Sequence, residues 1–428
     1  MARNTHIARI GLGLLFAGSM LFYVQRILVP YQERDAEIHN RPRGNLSDLY
    51  PQWVAARELL LNGRDPYSAE ITREIQTGFY GRPLDPARPD DPKDEQRFAY
   101  PVYVAFLLAP TVRLPFDLAQ TVFFWLLVAL SAASALLWMD FLKWRPSAAG
   151  VLLALLLTLG SFPVLQGVKL QQLSLLEGFL LALSAALLAR GYLFTSGAFM
   201  AVAMIKPQLA IPVAGWFCIW SIFSWRNRRA WVLGFGLTMF ILLAASEWLM
   251  PGWVARFFDT AVAYRVYAAN GGILDTVFSP IGVKFLTVLL VLVVVAFCWR
   301  FRRLPETQAG FQRITALVLA ATLVILPMIV AYNHVLLLPS FFLLARQWMG
   351  LSSHGRASRA LSIAAGVLIA WPWPAATALT LLSAIASPEQ VQRAWAFPLL
   401  SSPLIPIAVL GVQLVSVATQ NTDKPESA

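Results

Sequence analysis

Apolar runs at about 7–29, 118–142, 148–165, 173–189, 230–250, 279–299, 313–331, 360–382 and 397–418 are each long enough, or nearly so, to cross ~30 Å of hydrocarbon. They decide what this chain of 428 residues can fold into. Shorter apolar runs lie at 98–112, 193–205, 208–223 and 333–345. In lipid no water is at hand for backbone groups, so every N–H and C=O must be paired within the protein, which leaves helices or closed barrels. No run alternates with the period of two that lipid-facing barrel strands require, so the spans are helices. The expected fold is all-α, a polytopic transmembrane bundle of about 11–13 membrane segments. A composition of 58% hydrophobic and 13% charged residues, far beyond the needs of a soluble core, agrees.

Charge is unevenly placed among these runs. Between Pro30 and Arg97 lie 13 of the 23 acidic residues and 10 of the 34 basic ones, leaving 24 basic and 10 acidic residues for the rest of the chain. In that remainder the basic residues gather in short connections, at Lys143/Arg145, Arg190, Arg226/Arg228/Arg229, Arg300/Arg302/Arg303 and Arg346/Arg356/Arg359. By the positive-inside rule those connections face the cytoplasm. The net charge of +11 therefore reports topology, and no nucleic-acid partner is expected, because no soluble face collects the charge. Cys218 and Cys298 each stand alone in apolar runs, so neither a disulfide framework nor a metal site is expected.

With Arg3 and Arg9 holding the amino terminus inside, residues 1–29 form the first transmembrane helix; the run contains Arg26 and has no small-residue cleavage site of the leader type. The loop 30–97 then lies outside, together with the turns 166–172, 206–208, 251–278, 332–334 and 383–396. Parity holds only if 98–112, bounded by Pro101 and Pro110, is a half-helix or re-entrant segment sharing one crossing with 118–142. Treating 193–223 as one span broken at Pro207 and Pro212 is the alternative, but it moves the basic connections at 143–145 and 190 outside. The first solution is preferred. Polar turns converging beside the acidic loop point to a site at the outer membrane boundary.

Within the loop, Leu46, Leu49, Trp53, Ala56 and Leu60 recur at helical spacing and Gly63 supplies a stop. Tyr50 and Trp53 at one end, with Arg57, Glu58 and Arg64 on other faces, suit an interfacial amphipathic helix. Asp48 sits at its amino-terminal edge, where two readings stay open: Ser47 or Asp48 caps the helix, or the carboxylate does chemistry. Gly63-Arg64-Asp65-Pro66-Tyr67 is a turn-forming combination. The stretch 80–97, rich in proline and acid and without periodicity, reads as mobile coil, with Asp90/Asp91 as solvated charge in preference to a cation site. Tyr100-Pro101 reads as the start of a membrane segment, since proline needs no helical N–H in a first turn.

Deeper in the chain, polar residues interrupt hydrocarbon. Glu177 follows the turn Lys169-Leu170-Gln171-Gln172-Leu173-Ser174 inside an apolar run, where an ionisable group is costly unless functional or paired. Lys206 stands midway through an apolar stretch and immediately before Pro207 and Gln208. If two half-helices meet there, the ammonium and the freed backbone groups make a phosphate seat; the plainer reading is a snorkelling lysine. Arg256, Arg265, Tyr264 and Tyr267 in 251–278 read as residues of the headgroup layer, with Arg265 a weaker phosphate candidate. Tyr332-Asn333-His334 breaks two apolar runs on the same face.

The order of these elements resembles glycosyltransferase family 87, polyprenol-phosphate-mannose-dependent mannosyltransferases of the GT-C superfamily, over roughly residues 7–348. The matching pieces are Asp48 and Tyr50 opening an amphipathic stretch with Ala55-Ala56-Arg57, then Gly63-Arg64-Asp65-Pro66-Tyr67, Tyr100-Pro101, Gln172-Leu173-Ser174-Leu175, Lys206-Pro207-Gln208, and Tyr332-Asn333-His334 before Leu336-Leu337-Leu338-Pro339. Relatives more often carry a second proline where Val102 stands, a glycine at Gln171 and an aspartate at Asn333. The resemblance implies a GT-C-like membrane core over 98–348 between the external catalytic loop 30–97 and C-terminal helices with a short polar tail over 349–428. It further implies a catalytic acid in the first external loop, which maps onto Asp48, and a lipid-monophosphate donor; for such a donor Lys206 and Arg265 are the candidate phosphate holders, Tyr50, Arg57, Asp65, Tyr100, Gln172, Gln208, Asn333 and His334 the substrate-site candidates, and Asp65 the second choice for the base. The partners implied are a polyprenyl-phosphate-linked sugar, a lipid or glycan acceptor and membrane lipids, at the outer face of a bacterial plasma membrane; no metal or other cofactor is called for.

A secondary transporter or lipid flippase would also have many helices and intramembrane Lys206 and Glu177. Against it stand the lack of an internal repeat of the helix pattern and the long acidic first loop. A polymerase or ligase with its large loop late in the chain fits less well, because here the loop is early.

Overall fold

The computed structural model describes residues 2–39, 41–42, 47–85, 87–88, 90–267, 271–276, 278–348 and 355–419. Leu46, the side chain of Arg265 and the tail from Gln420 lie outside that description. Helices form in every apolar run, and there is no strand among the described residues. A long first helix comprises α1 (Ala2–Phe22), a π-helical turn at Tyr23–Leu28 and α2 (Val29–Ile38). That helix runs nine residues past the expected end at 29, so the loop begins after Ile38 and supplies α3 (Tyr50–Asn62) and α4 (Ala69–Tyr80). The next run gives only α5 (Val104–Leu108) and a 3-10 turn at Ala109–Thr111, at ~1.5–2 Å per residue far too short to cross a bilayer.

The bundle continues with α6 (Phe116–Phe141), α7 (Ala148–Leu159), α8 (Phe162–Lys169), α9 (Leu173–Ala189), α10 (Leu193–Ala203), α11 (Pro207–Ile222) and α12 (Trp225–Leu249). After these come α13 (Trp253–Tyr267), α14 (Pro280–Phe301), α15 (Ala309–Ile325), α16 (Leu338–Gln347), α17 (Arg356–Ala370), α18 (Pro372–Leu382), α19 (Pro388–Arg393) and α20 (Ile405–Ala418). Five helices are long and apolar enough to span: His6–Ile38, Phe116–Phe141, Trp225–Leu249, Pro280–Phe301 and Arg356–Leu382. A sixth is the pair α7 and α8, bent by 53°. Gly160 and Ser161 make that bend, and a Cβ on Gly160 would lie 2.4 Å from Ala17, so the glycine also lets α1 come close. Five shorter apolar helices complete a polytopic helical membrane protein.

Lipid is as apolar as a leucine side chain, so membrane helices associate by close packing and internal hydrogen bonds more than by hydrophobic transfer. Both devices are present. Helices α10 and α12 cross at Gly197 and Gly234, where a Cβ would stand 2.1 Å from the Trp231 carbonyl and 2.0 Å from that of Phe194. Around Phe311 of α15 gather Trp216, Phe217 and Trp220 of α11, with ring centroids 5.3, 5.7 and 5.2 Å away. The chain ends meet as well: α18 packs on α1, and the Tyr23 hydroxyl donates to the Trp395 carbonyl at 2.6 Å.

At one end of the bundle the basic connections make local contacts. Arg228 is buried, lies over the Trp220 ring at 3.9 Å and donates to the carbonyls of Trp220, Arg302 and Leu304 at 2.9, 3.2 and 2.9 Å. It ties the chain after α11 to the end of α14. Asp140 pairs with Arg145 and Arg190 at 3.2 and 2.8 Å. At the opposite end lies the acidic loop.

Candidate active site

Helix α3 is held down by aromatic packing and so fixes Asp48. Leu49 is fully buried, Pro51 occupies the first turn, and Tyr50 and Trp53 pack on Phe116 at 4.9 and 5.3 Å. Trp53 donates its indole N–H to the Thr111 carbonyl at 3.1 Å, which docks α3 on the corner between α5 and α6. At its other end Gly63 adopts φ 63°, the left-handed stop expected of glycine. Its amino-terminal cap is Leu49, with no side-chain hydrogen bond, so neither Ser47 nor Asp48 caps the helix. The Asp48 carboxylate instead accepts from Gln172 Nε2, across 124 residues of sequence.

The turn 63–67 acts through what it positions. Arg64 joins Glu58 at 2.9 Å and Glu74 at 2.5 Å, locking α4 to α3. Asp65 accepts from the Tyr67 backbone N–H at 2.9 Å and pairs with Arg256 at 3.1 Å. Tyr67 then donates its hydroxyl to the Tyr100 carbonyl at 2.6 Å and packs on Phe98 at 5.2 Å, which sets the Tyr100 ring in place.

Lys206 is the buried centre of the site, 8% exposed. It lies in the break between α10 and α11, with Pro207 opening α11. Its Nζ donates to Ser174 Oγ at 2.7 Å and to Gln172 Oε1 at 3.2 Å, and stands 5.5 Å from the ring centres of both Tyr100 and Tyr332. Two aromatic faces help to hold a desolvated ammonium, at ~0.5–2 kcal/mol each. Ser174 in turn donates to Asn333 Oδ1 at 2.8 Å. Glu177, one turn further along α9, is fully buried and interacts with Lys206 through charge.

Gln171 has φ 47°, in the left-handed region that favours glycine, which accounts physically for a glycine being the easier residue there. In this chain its amide donates to the Val168 and Lys169 carbonyls at 2.7 and 3.1 Å and so holds the same turn.

These groups open on a cavity of about 970 Å³. Asp48, Tyr100, Gln172, Lys206, Gln208 and Asn333 all line it. Ile205, Leu209, Phe257, Leu326, Met328 and Val330 give it apolar lining, and Gln52, Asp94, Gln96 and Arg97 are contributed by the acidic loop. Burial pushes the Asp48 carboxyl up to about 6; the Asp94 charge adds to this, and the Gln172 hydrogen bond and the charges of Lys206 and Lys169 oppose it. Asp94 stands at the mouth, open to solvent on one side, yet loss of hydration still raises its carboxyl against the hydrogen bond from the Gln96 backbone.

Among the described residues, several expected site members do not reach this cavity. Tyr50 packs in the aromatic cluster, Arg57 lies over the Trp53 ring at 5.3 Å, Asp65 is engaged in its turn and ion pair, and His334 is buried outside the lining. Tyr50, Arg57 and His334 share a motif with a residue of the site, whereas the turn that holds Asp65 contributes none to the lining. The described residues of 80–97, expected as mobile coil, are irregular and carry hydrogen bonds to α4 and to one another. Gln76 donates to the Glu95 carbonyl and accepts from the Leu84 N–H, both at 3.0 Å; Tyr80 donates to the Asp94 carbonyl at 2.9 Å; and Arg82 clasps Asp91. Asp94 and Tyr332 are cavity residues that sequence reasoning misses. Tyr332 is visible as the first residue of its motif, whereas one acid among many in a coil carries no signal of its own.

Comparison with known proteins gives one family. The sequence model of glycosyltransferase family 87 matches residues 98–327, just over half of the chain. That range contains Tyr100, Gln172, Lys206 and Gln208; Asp48 precedes it and Asn333 follows it. No curated protein and no solved structure matches the chain.

Proposed function

The chain belongs to glycosyltransferase family 87, and on that premise we propose that this membrane glycosyltransferase moves a hexose, with mannose the first sugar to test, from a polyprenyl-monophosphate donor to an acceptor hydroxyl with inversion. The observation that carries the reading is the linked trio Asp48–Gln172–Lys206 on the wall of a cavity lined by both polar and apolar residues. A lipid-linked sugar phosphate calls for both: a buried cation for its anionic head and apolar lining for its hydrocarbon chain.

In this mechanism Asp48 takes the proton from the acceptor hydroxyl as its oxygen attacks the anomeric carbon. The new carbon–oxygen bond forms on one face of the sugar while the bond to the phosphate oxygen breaks on the other. Polyprenyl phosphate leaves with the electron pair, the proton stays on Asp48, and Lys206 stabilises the charge that develops on the phosphate. Its ammonium is held in position by Ser174, Gln172 and two tyrosine rings, so little reorganisation is needed. The end of the bundle carrying the acidic loop faces the outside of a bacterial plasma membrane in this reading, in keeping with the basic connections at the opposite end.

The test is transfer of radiolabelled mannose from polyprenyl-phosphate-mannose to extracted membrane lipids and glycans by purified protein in liposomes. Wild type is expected to transfer and a folded Asp48→Ala variant to fail. Wild type that transfers none of several lipid-linked sugars overturns the reading in favour of a transporter.

A further inference from the structure

The acidic loop brings one carboxylate to the cavity that the mechanism above does not use. Asp94 is delivered there by tethers from α4: Tyr80 holds the Asp94 carbonyl at 2.9 Å and Gln76 holds that of Glu95 at 3.0 Å. The chain then turns through Gln96 at φ 48°, a conformation an L-residue enters at a cost. Gln96 donates to both oxygens of Asp94, from its backbone N–H at 3.1 Å and its side-chain amide at 3.0 Å. A carboxylate offers about four acceptor positions, so two are left for a ligand.

The charge balance at this side of the cavity is lopsided. Arg97 is bonded to Glu95, which offsets its charge locally. Lys206, linked to Asp48 through Gln172, already donates to Ser174 and Gln172 and keeps one N–H for an anion. Asp48 and Asp94 are the two acids that the loop brings to the cavity, near enough to influence each other, and Asp275 adds a third to the lining. Such a surface accepts hydrogen bonds from hydroxyl groups and repels anions.

Building on the glycosyltransferase reading, we propose that Asp94 is the acceptor-specificity residue, which binds hydroxyl groups of a neutral, polyhydroxylated acceptor and orients one of them towards Asp48. The donor phosphate and the acceptor are thereby separated by charge: the anion goes to Lys206, and the polyol goes to the two carboxylates. An acceptor with its own carboxylate near the reacting hydroxyl is discriminated against.

The test compares wild type, Asp94→Asn and Asp94→Glu in liposomes, with polyprenyl-phosphate-mannose as donor and a neutral methyl hexoside or the matching methyl hexuronoside as acceptor, beside membrane-extract acceptors. Wild type is expected to prefer the neutral sugar. Asp94→Asn is expected to raise the acceptor KM about tenfold or more, the loss of a hydrogen bond to a charged group, to leave the donor KM alone, and to weaken the preference against the acidic sugar. Asp94→Glu, which keeps the charge, recovers part of the acceptor affinity and the whole of the preference, and gives the comparison if the asparagine variant does not fold. Transfer with an unchanged acceptor KM and preference, or a change in donor KM instead, overturns the role of Asp94 alone. Absence of transfer by wild type to any acceptor overturns the underlying reading and this assignment with it.

Discussion

Lys206 reaches Asp48 through a single side chain: Gln172 accepts from Lys206 Nζ at 3.2 Å and donates through its other amide atom to the Asp48 carboxylate. The amide orientation follows from its partners, since an ammonium can only donate and a carboxylate only accept. A candidate base in a loop and a cation in the helix bundle are thus held at a fixed separation by a residue of the turn before α9.

Removing the base should therefore be far more damaging than removing the neighbouring candidate. Asp48→Asn is expected to lower the transfer rate by about 10²–10⁴-fold, the usual worth of a positioned general base. Asp65→Asn should keep activity within about threefold, because its ion pair with Arg256 is partly exposed and such pairs contribute little. Initial rates with saturating donor on both purified variants make the comparison; loss in Asp65→Asn with activity kept in Asp48→Asn would exchange their roles.

The pH dependence follows from the same carboxylate. With Asp48 pushed up to about 6 by burial, the unprotonated base is scarce below that pH, so the rate should rise through about 6 and level off above it. The Gln172 hydrogen bond stabilises the charged form, so in Gln172→Ala the rising limb should move to higher pH. Profiles of kcat/KM for both proteins between about pH 4.5 and about 8 read this out; a limb that stays in place, or moves down, would mean that Gln172 does not bear on the base.

At the cation, Lys206→Gln should raise the donor KM by about 10-fold or more and lower kcat as well, since a charge-assisted contact to phosphate that strengthens as the leaving group departs is lost in both states. Lys206→Arg keeps the charge but has a planar fork where the compact ammonium sits between two tyrosine rings, so only part of the activity should return. Donor titrations against labelled transfer separate the two parameters. A lysine that only snorkels would leave both unchanged in Lys206→Gln.

How much of this is legible in the sequence differs between the bundle and the site. The helices can be read because apolar length has one meaning in lipid, and α6, α9, α12 and α14 start and end within a few residues of the expected runs. Gly63 announces its own helix end. Lys206 is visible because an ammonium in hydrocarbon is anomalous by itself. Asp48 is not separable from a cap by spacing alone, for a cap and a base occupy the same place in the pattern; the cap at Leu49 and the partner 124 residues away, Gln172, remove only the capping reading. For Tyr50, Arg57 and Asp65 the motif supplies nearness in sequence, while the side-chain direction is set by aromatic packing and turn geometry that no spacing encodes. Asp94 depends on tethers from Gln76 and Tyr80, two polar residues of a helix that reads in the sequence as part of the loop.

Two glycines decide how closely α10 and α12 approach, and a third, on α12, provides the control. A Cβ at Gly197 would lie 2.1 Å from the Trp231 carbonyl, so Gly197→Ala must push the two backbones apart at a site with no flexible side chain to yield. Overpacking of this kind costs about 1–3 kcal/mol, more than the ~1 kcal/mol of helix propensity that alanine gains over glycine. A methyl group on Gly236 of α12 would meet nothing within 4 Å, so Gly236→Ala should keep the propensity gain without the clash. Melting followed by tryptophan fluorescence in detergent should thus place Gly197→Ala below wild type and Gly236→Ala level with it or above. Because α9 packs on α10 and carries Ser174, the partner of Lys206, the Gly197 variant should also lose part of its transfer activity at temperatures where Gly236→Ala keeps all of it.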